Sequence, residues 1–194
     1  MPEQLDIFGA PVPPLPEGFA YAPDLVDGRT ERALIDELCA LPLREYVHQG
    51  YTGQRRTMSF GVRWDLERRV LEQVREIPEW LLPLRAQAAA FAALDPARLV
   101  MALVTEYSAG APIGWHRDRA VYEDIVGVSL ASACTFRLRR ERPDGGGWDR
   151  ASLVVEPRSV YLMRGPSRTQ WEHSIPPVEA LRYSITFRSV RESR

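Results

Sequence analysis

The stretch RYSITFR, residues 182–188, decides the fold class. Tyr183, Ile185 and Phe187 alternate with Arg182, Ser184, Thr186 and Arg188. That two-residue period is the mark of a strand, whose successive side chains point to opposite faces. Working back along the chain, SVYLM (159–163), SLVVE (152–156), CTFRLRR (134–140), DIVGVSLAS (124–132) and LVMALVTEY (99–107) read as further short strands. RPDGGGW (142–148) is a turn cluster joining two of them. Before residue 98 the period becomes helical. TERALIDELCAL (30–41) places Leu34, Leu38 and Leu41 on one face, and Pro42 stops it. LERRVLEQVREI (66–77) spaces Leu66, Val70, Val74 and Ile77 in the same way. EWLLPLRAQAAAFAAL (79–94) is Ala-rich, with Pro83 near its start, where a helix tolerates it. Helices first and many short strands after predict an α+β chain: an antiparallel jelly roll buttressed by N-terminal helices.

The 194 residues suffice for one domain with a real core. GAPVPPLP (9–16) forms neither helix nor ladder and reads as an extended spacer. It separates a tail, residues 1–8, from a domain over 17–194. A net charge of −1 excludes a protein that coats nucleic acid by bulk charge. All 25 basic residues are Arg, the side chain that pairs carboxylates and phosphates through a planar fork. Cys39 and Cys134 make no disulfide framework, which fits an intracellular, cytoplasmic protein. The Pro-rich, acidic start is no secretory signal, and no apolar run reaches the roughly 18 residues of a membrane helix.

GWHRDRA (114–120) carries one of only three histidines. In an extended segment His116 and Asp118 share a side. A third ligand comes from His48 or His173, and His173, in QWEHSIPP among the late strands, can close the site. Two imidazoles and one carboxylate on one face of a metal leave positions open for a bidentate co-substrate and O2, as in non-haem Fe(II) oxygenases. The His-x-Asp fragment by itself reads equally as a surface pair. The strand at 182–188 changes that balance. Its polar face is either the wet side of an edge strand or the lining of a barrel. Arg182 and Arg188 inside a barrel need an anion, and a fork matches a carboxylate bidentately. With Fe(II) in the cavity, 2-oxoglutarate meets both demands: its keto-acid end chelates iron and its far carboxylate reaches Arg182.

Together, LVTEYSAGAPIGWHRD (103–118), WEHSI (171–175) and RYSITFR (182–188) resemble the AlkB-type Fe(II)/2-oxoglutarate dioxygenases. The family pattern is Asn-x-Tyr, a short Pro/Gly loop, His-x-Asp, a distal His and Arg-x-Asn-x-Thr-Phe-Arg. The similarity runs over about residues 17–190. It implies that His116, Asp118 and His173 hold iron. It also implies that Tyr107 and Arg182 hold 2-oxoglutarate, supported by Arg188, with Ser184 and Thr186 on the same face. The implied fold is a double-stranded β-helix. Family members hydroxylate a methyl group on a base nitrogen; the hemiaminal collapses to formaldehyde and the repaired base, with succinate and CO2 as co-products. The resemblance thus implies a partner nucleic acid with alkylated bases, DNA first and tRNA or a protein side chain as alternatives. Thr105 and Ser184 replace the Asn residues of the pattern, and both can hydrogen bond a carboxylate. Ala120 stands where well-known demethylases carry an acid that contacts the base.

Residues 44–64, REYVHQGYTGQRRTMSFGVRW, match the family's substrate-recognition lid in position. They interleave aromatics with Arg55, Arg56 and Arg63, a pattern suited to stacking a flipped base and pairing phosphate. A twisted hairpin with core aromatics reads equally well. Tyr51, Arg55 and Arg56, with Trp115 beside the first metal residue, are the candidate substrate contacts. QLDIF, Gln4–Phe8, resembles the pentapeptide by which bacterial repair proteins dock on the sliding clamp, a second candidate partner.

Overall fold

The computed structural model describes residues 14–48, 51–65 and 68–191, without the side chains of 46–48 and 51–54. In chain order the elements are β1 (Phe19–Ala22), α1 (Gly28–Ala40), β2 (Arg44–His48), β3 (Tyr51–Asp65), β4 (Val70–Gln73), α2 (Leu82–Phe91), β5 (Met101–Tyr107) and β6 (Ile113–His116). They continue as β7 (Tyr122–Leu130), β8 (Cys134–Glu141), β9 (Trp148–Val155), β10 (Val160–Met163), α3 (Gly165–Thr169), β11 (Glu172–Ile175) and β12 (Arg182–Val190). The major sheet runs β1-β10-β7-β12-β5-β3-β2, with β4 beside β3; the minor sheet runs β6-β11-β8-β9. Paired strands are antiparallel throughout both sheets. The architecture is therefore mostly antiparallel sheet with few helices.

Two apolar clusters hold these layers. In the first, Leu34 and Leu38 of α1 and Leu84 and Ala88 of α2 pack with Val104, Val128 and Ile185 of the major sheet. In the second, Phe136, Leu138 and Val155 of the minor sheet meet Ile125, Tyr161 and Met163 of the major one. The alternation of β12 now has a physical meaning. Tyr183, Ile185 and Phe187 belong to the cluster beneath the helices. The polar set faces the other way, toward the minor sheet. β12 lies between β7 and β5, so it is no edge strand, and Arg182 has no exposed surface at all.

Helix α1 begins at Asp27, whose carboxylate accepts from the Thr30 amide at 2.7 Å, a cap that satisfies one orphan donor. It ends at Ala40, before Pro42. The helix expected over 79–94 is a short 3₁₀ turn, Glu79–Leu81, followed by α2. The helix expected over 66–77 does not form. Val70–Gln73 pairs with β3 in the register Val62↔Gln73 to Asp65↔Val70, and Arg63 forms an ion pair with Glu72. Arg69 turns the chain with φ +53°. The long β3 offers unpaired backbone groups, and β-branched Val70 gains little from helix. Leu66 lies outside the described residues. Four-residue apolar spacing was thus overridden by an available strand edge. Among the described residues no helix is long and apolar enough to cross a membrane.

Candidate active site

Strand register assembles the site. Tyr107 pairs with Arg182 on one side and Arg55 on the other; Thr105 pairs with Ser184 and Thr57; Leu103 pairs with Thr186. Directly opposed residues share a face, so this polar patch spans three strands. It forms one wall of a cavity of about 470 Å³, within the range of small-ligand sites. Thr105, Tyr107, Ser184, Thr186 and Arg188 line that wall with Tyr161 of β10, and Phe136 of the minor sheet lines the cavity with the two histidines and Asp118.

The minor sheet delivers the histidines. His173 of β11 pairs with His116 at the end of β6, and Asp118 follows two residues later. One ligand atom from each of His116, Asp118 and His173 lies within 4.8 Å of the others. His173 Nε2 stands 3.6 Å from Asp118 Oδ2, and the two imidazole centroids are 4.1 Å apart. His116 Nδ1 is 2.9 Å from the Gly114 carbonyl oxygen. A carbonyl only accepts, so that nitrogen carries the proton and Nε2 is left as a ligand. The His173 ring stacks on Phe136 at 5.3 Å.

Electrostatics prepare two of these groups, His173 and Asp118, as Lewis bases. Burial, reinforced by His116, pushes His173 down to about 3, which leaves a neutral imidazole. Burial acts to raise Asp118, but the Arg188 charge and its 2.8 Å hydrogen bond to Oδ1 outweigh it. The carboxyl is held well below the usual range. Arg188 is itself buried, with its guanidinium 5.4 Å from the Tyr122 ring centroid.

Arg182 differs from Arg188. It lies behind the Tyr107 wall, its guanidinium 5.0 Å from the Tyr107 ring centroid, and its Nε donates to Ser129 Oγ at 3.1 Å. Nη1 and Nη2 are buried and have no hydrogen-bond partner among the described residues. An uncompensated buried cation costs several kcal/mol. Two parallel N–H groups with nothing to bond match the two oxygens of a carboxylate.

The candidate substrate contacts separate. Arg55 and Trp115 both line the cavity. Arg56, one residue from Arg55, points to the opposite face. Its fork donates to both oxygens of Glu106 at 2.8 Å, and Glu106 also accepts from the Tyr183 hydroxyl at 3.1 Å. The expectation that Arg56 meets substrate gives way to a structural tie between β3 and β5. The Tyr51 side chain lies outside the described residues, as does Gln4–Phe8.

Three contributors had no separate signal in the sequence. Ser129 holds Arg182. Tyr161 enters the cavity because Gly127 opposite it has no Cβ, which would collide with the Tyr161 ring. Arg168 of α3 is buried and donates to the carbonyls of Arg119 and Tyr122, the latter at 3.0 Å, pinning the loop that follows Asp118.

Residues 28–188, which include all of these groups, match the model of the 2OG-Fe(II) oxygenase superfamily. The chain belongs to this superfamily. Within it the likeness is to AlkB-type members. The chain is 25% identical over 181 residues to the Alkylated DNA repair protein ALKBH8 homolog of Arabidopsis thaliana, covering 82% of this chain and 51% of that protein. It is 31% identical over 101 residues to the Uncharacterized protein L905 of Acanthamoeba polyphaga mimivirus, covering 45% of this chain and 47% of that protein. The chain thus spans about half the length of the curated relatives it matches. The solved structure of OsALKBH1 superposes with a TM-score of 0.69 at 18% identity, over 92% of this chain and all of that one, so the fold is shared.

The donor set fits the superfamily's groups. Two imidazoles, that of His173 held neutral, and an ionised carboxylate suit Fe(II) and leave coordination positions free for a co-substrate and O2. The partnerless fork of Arg182 suits the far carboxylate of 2-oxoglutarate.

Proposed function

We propose that this chain is an Fe(II)- and 2-oxoglutarate-dependent dioxygenase that removes alkyl groups oxidatively from nucleobases, with DNA as its first substrate. One observation carries the reading: a clustered His-Asp-His set lines a cavity, and behind the Tyr107 wall of that cavity lies an arginine whose buried fork has no anion among the described residues. Bound iron, with 2-oxoglutarate and O2 as co-substrates, supplies the oxidation of an N-methyl C–H bond, after which formaldehyde, succinate and CO2 are the products. His116, Asp118 and His173 bind the metal. Arg188 keeps Asp118 ionised and aimed. Arg182, with Tyr107 against it, orients 2-oxoglutarate, and the Thr105, Ser184 and Thr186 hydroxyls hydrogen bond it. Phe136 covers the His173 ring and keeps water from it. Within the cavity lining, Trp115 offers an aromatic plate and Arg55 a cation to a flipped nucleotide.

The likeness to AlkB-type proteins supports a nucleobase, and the facing sheets support the double-stranded β-helix as the finer description of the fold. We take residues 17–194 as the catalytic domain, working in the cytoplasm, with Gln4–Phe8 as a tether to the bacterial sliding clamp. A second reading keeps the chemistry and changes the substrate to tRNA or a protein side chain. It is favoured by exposed Ala120, which leaves no acid two residues beyond Asp118.

The test is formaldehyde release from 1-methyladenine and 3-methylcytosine in single-stranded DNA, duplex DNA and RNA, with Fe(II), 2-oxoglutarate and ascorbate. Release that disappears in Asp118→Ala supports base demethylation and ranks the substrates. Succinate without formaldehyde on every oligonucleotide moves the reading to the second substrate class.

A further inference from the structure

A second cavity, of about 480 Å³, adjoins the active site through Arg117. Trp148, Arg140, Thr169, Gln170 and Glu172 contribute to its lining. The two cavities share one residue, Arg117, which separates His116 from Asp118 in sequence and lines both. Between them stands a three-layer stack. The Arg139 guanidinium lies 4.4 Å from the Trp115 ring centroid on one side and 4.2 Å from the Trp148 centroid on the other. Arg139 also donates to Glu172 at 2.7 Å. Arg139 thus sits between the two indoles, Arg137 also lies 5.2 Å from the Trp115 centroid, and Trp115 lines the active-site cavity while Trp148 lines the second one.

We infer that this second cavity binds the nucleotide next to the one being repaired, with the phosphate between the two held at Arg117. The inference rests on the nucleic-acid reading of the active site. Its chemistry is that of a base rather than of a free anion. Arg140 is paired with Asp149 at 2.9 Å and also donates to Gln170 at 3.1 Å, and Glu172 is paired with Arg139. Glu141 adds an exposed negative charge to the lining. A phosphate inside the cavity would face two carboxylates. A base would find an aromatic plate in Trp148, with Gln170, Thr169 and the carboxylates able to meet its polar edge. Arg117 is exposed and makes no ion pair among the described residues. One unpaired cation on the ridge between two base-sized cavities matches the single charge linking two nucleotides. Stacking on aromatic side chains with a cation tracking the backbone is how single strands are held without sequence readout.

The experiment compares a 3-methylcytosine mononucleotide with the same nucleotide flanked on both sides, using the iron-loaded enzyme with 2-oxoglutarate. In the unmodified protein the flanked substrate should show a roughly tenfold lower KM, the size of one base stack. Trp148→Ala should erase that gain, and Trp148→Phe should restore most of it. Consumption of 2-oxoglutarate without substrate should stay unchanged in Trp148→Ala, which establishes that the variant is folded. Arg117→Gln alters only an exposed side chain and tests the phosphate independently. The slope of log affinity against log salt for a short single strand should fall by about one phosphate contact. No gain from flanking nucleotides in the unmodified protein, or a gain that survives Trp148→Ala, overturns the second site and leaves base demethylation standing. An unchanged salt slope in Arg117→Gln overturns the phosphate assignment. Failure to turn over any methylated nucleotide overturns the reading on which the site rests.

Discussion

Strand β5 separates two arginine forks that meet opposite fates. On one face Arg56 reaches across and finds Glu106, with both of its bonds at 2.8 Å. On the other face Arg182, opposed to Tyr107, is buried with two nitrogens that bond nothing among the described residues. The same side chain closes the structure in one place and leaves it open in the other. The difference lies in whether the chain supplies the carboxylate. Arg188 marks the intermediate case: its carboxylate is Asp118, a group also proposed to bind the metal. A folded protein tolerates an unpaired buried cation where a ligand removes the strain, so the two faces divide structural from binding duty.

The sharpest break comes from removing the shared carboxylate. Asp118→Ala should take 2-oxoglutarate turnover to background and abolish Fe(II) binding. It would also leave Arg188 without its anion. Calorimetric titration with Fe(II) checks the binding; retained stoichiometric iron would show that the three ligand atoms do not act together.

Next in size is Arg182→Met. With 2-oxoglutarate present, the missing fork should raise its KM by about a hundredfold or more, since truncating one member of a buried charge pair costs roughly 2–5 kcal/mol. Without 2-oxoglutarate the sign reverses. Replacing an uncompensated buried cation with an apolar side chain should stabilise the protein, by roughly 1–4 kcal/mol if it follows replaced buried ion pairs. Urea denaturation with and without the co-substrate reads both signs. A destabilised ligand-free variant would mean that Arg182 is structurally satisfied, like Arg56.

A smaller effect sharpens the same contrast. Co-substrate at about a hundred times its Kd should stabilise the unmodified protein by about 2.7 kcal/mol, because it binds only the folded state. That increment should be lost in Arg182→Met and kept in Arg56→Ala. Thermal denaturation across a 2-oxoglutarate series measures it.

Much of this contrast was legible in the sequence. The alternation in RYSITFR placed Arg182, Ser184, Thr186 and Arg188 on one face, and the scarcity of histidine singled out His116 and His173. The alternation could not say whether that face was wet. Burial of β12 depends on β7 and β5 flanking it, which is a matter of topology. Arg55 and Arg56 were indistinguishable as neighbours in a basic, aromatic-rich segment. The register of β3 against β5 sends one into the cavity and the other to Glu106. Residues 66–77 misled for a related reason. Their spacing satisfied a helix, but an unpaired edge of β3 was within reach. β6 (IGWH) and β11 (EHSI), four residues each, are too short and mixed to show an alternating run, so only pairing reveals them. Tyr161 depends on a glycine across the sheet, a relation no local pattern contains.

The smallest expected effect belongs to the closed fork. Arg56→Ala removes a side chain that is 53% exposed, but its partner Glu106 is only 7% exposed. An exposed ion pair contributes little, about 0–1 kcal/mol. The loss here should exceed that, because a buried carboxylate keeps only the Tyr183 hydroxyl and an abandoned buried acceptor costs about 1–3 kcal/mol. Solvent reaching Glu106 through the vacated space reduces the figure, so about 1–2 kcal/mol in urea denaturation is expected. KM for 2-oxoglutarate should not move, since Arg56 faces away from the cavity. A double variant, Arg56→Ala with Glu106→Gln, should recover part of the stability, because the amide needs no cation. If the single variant instead raised the KM for a methylated oligonucleotide with stability unchanged, Arg56 would belong with the substrate contacts after all, and the two faces of β5 would not divide as described.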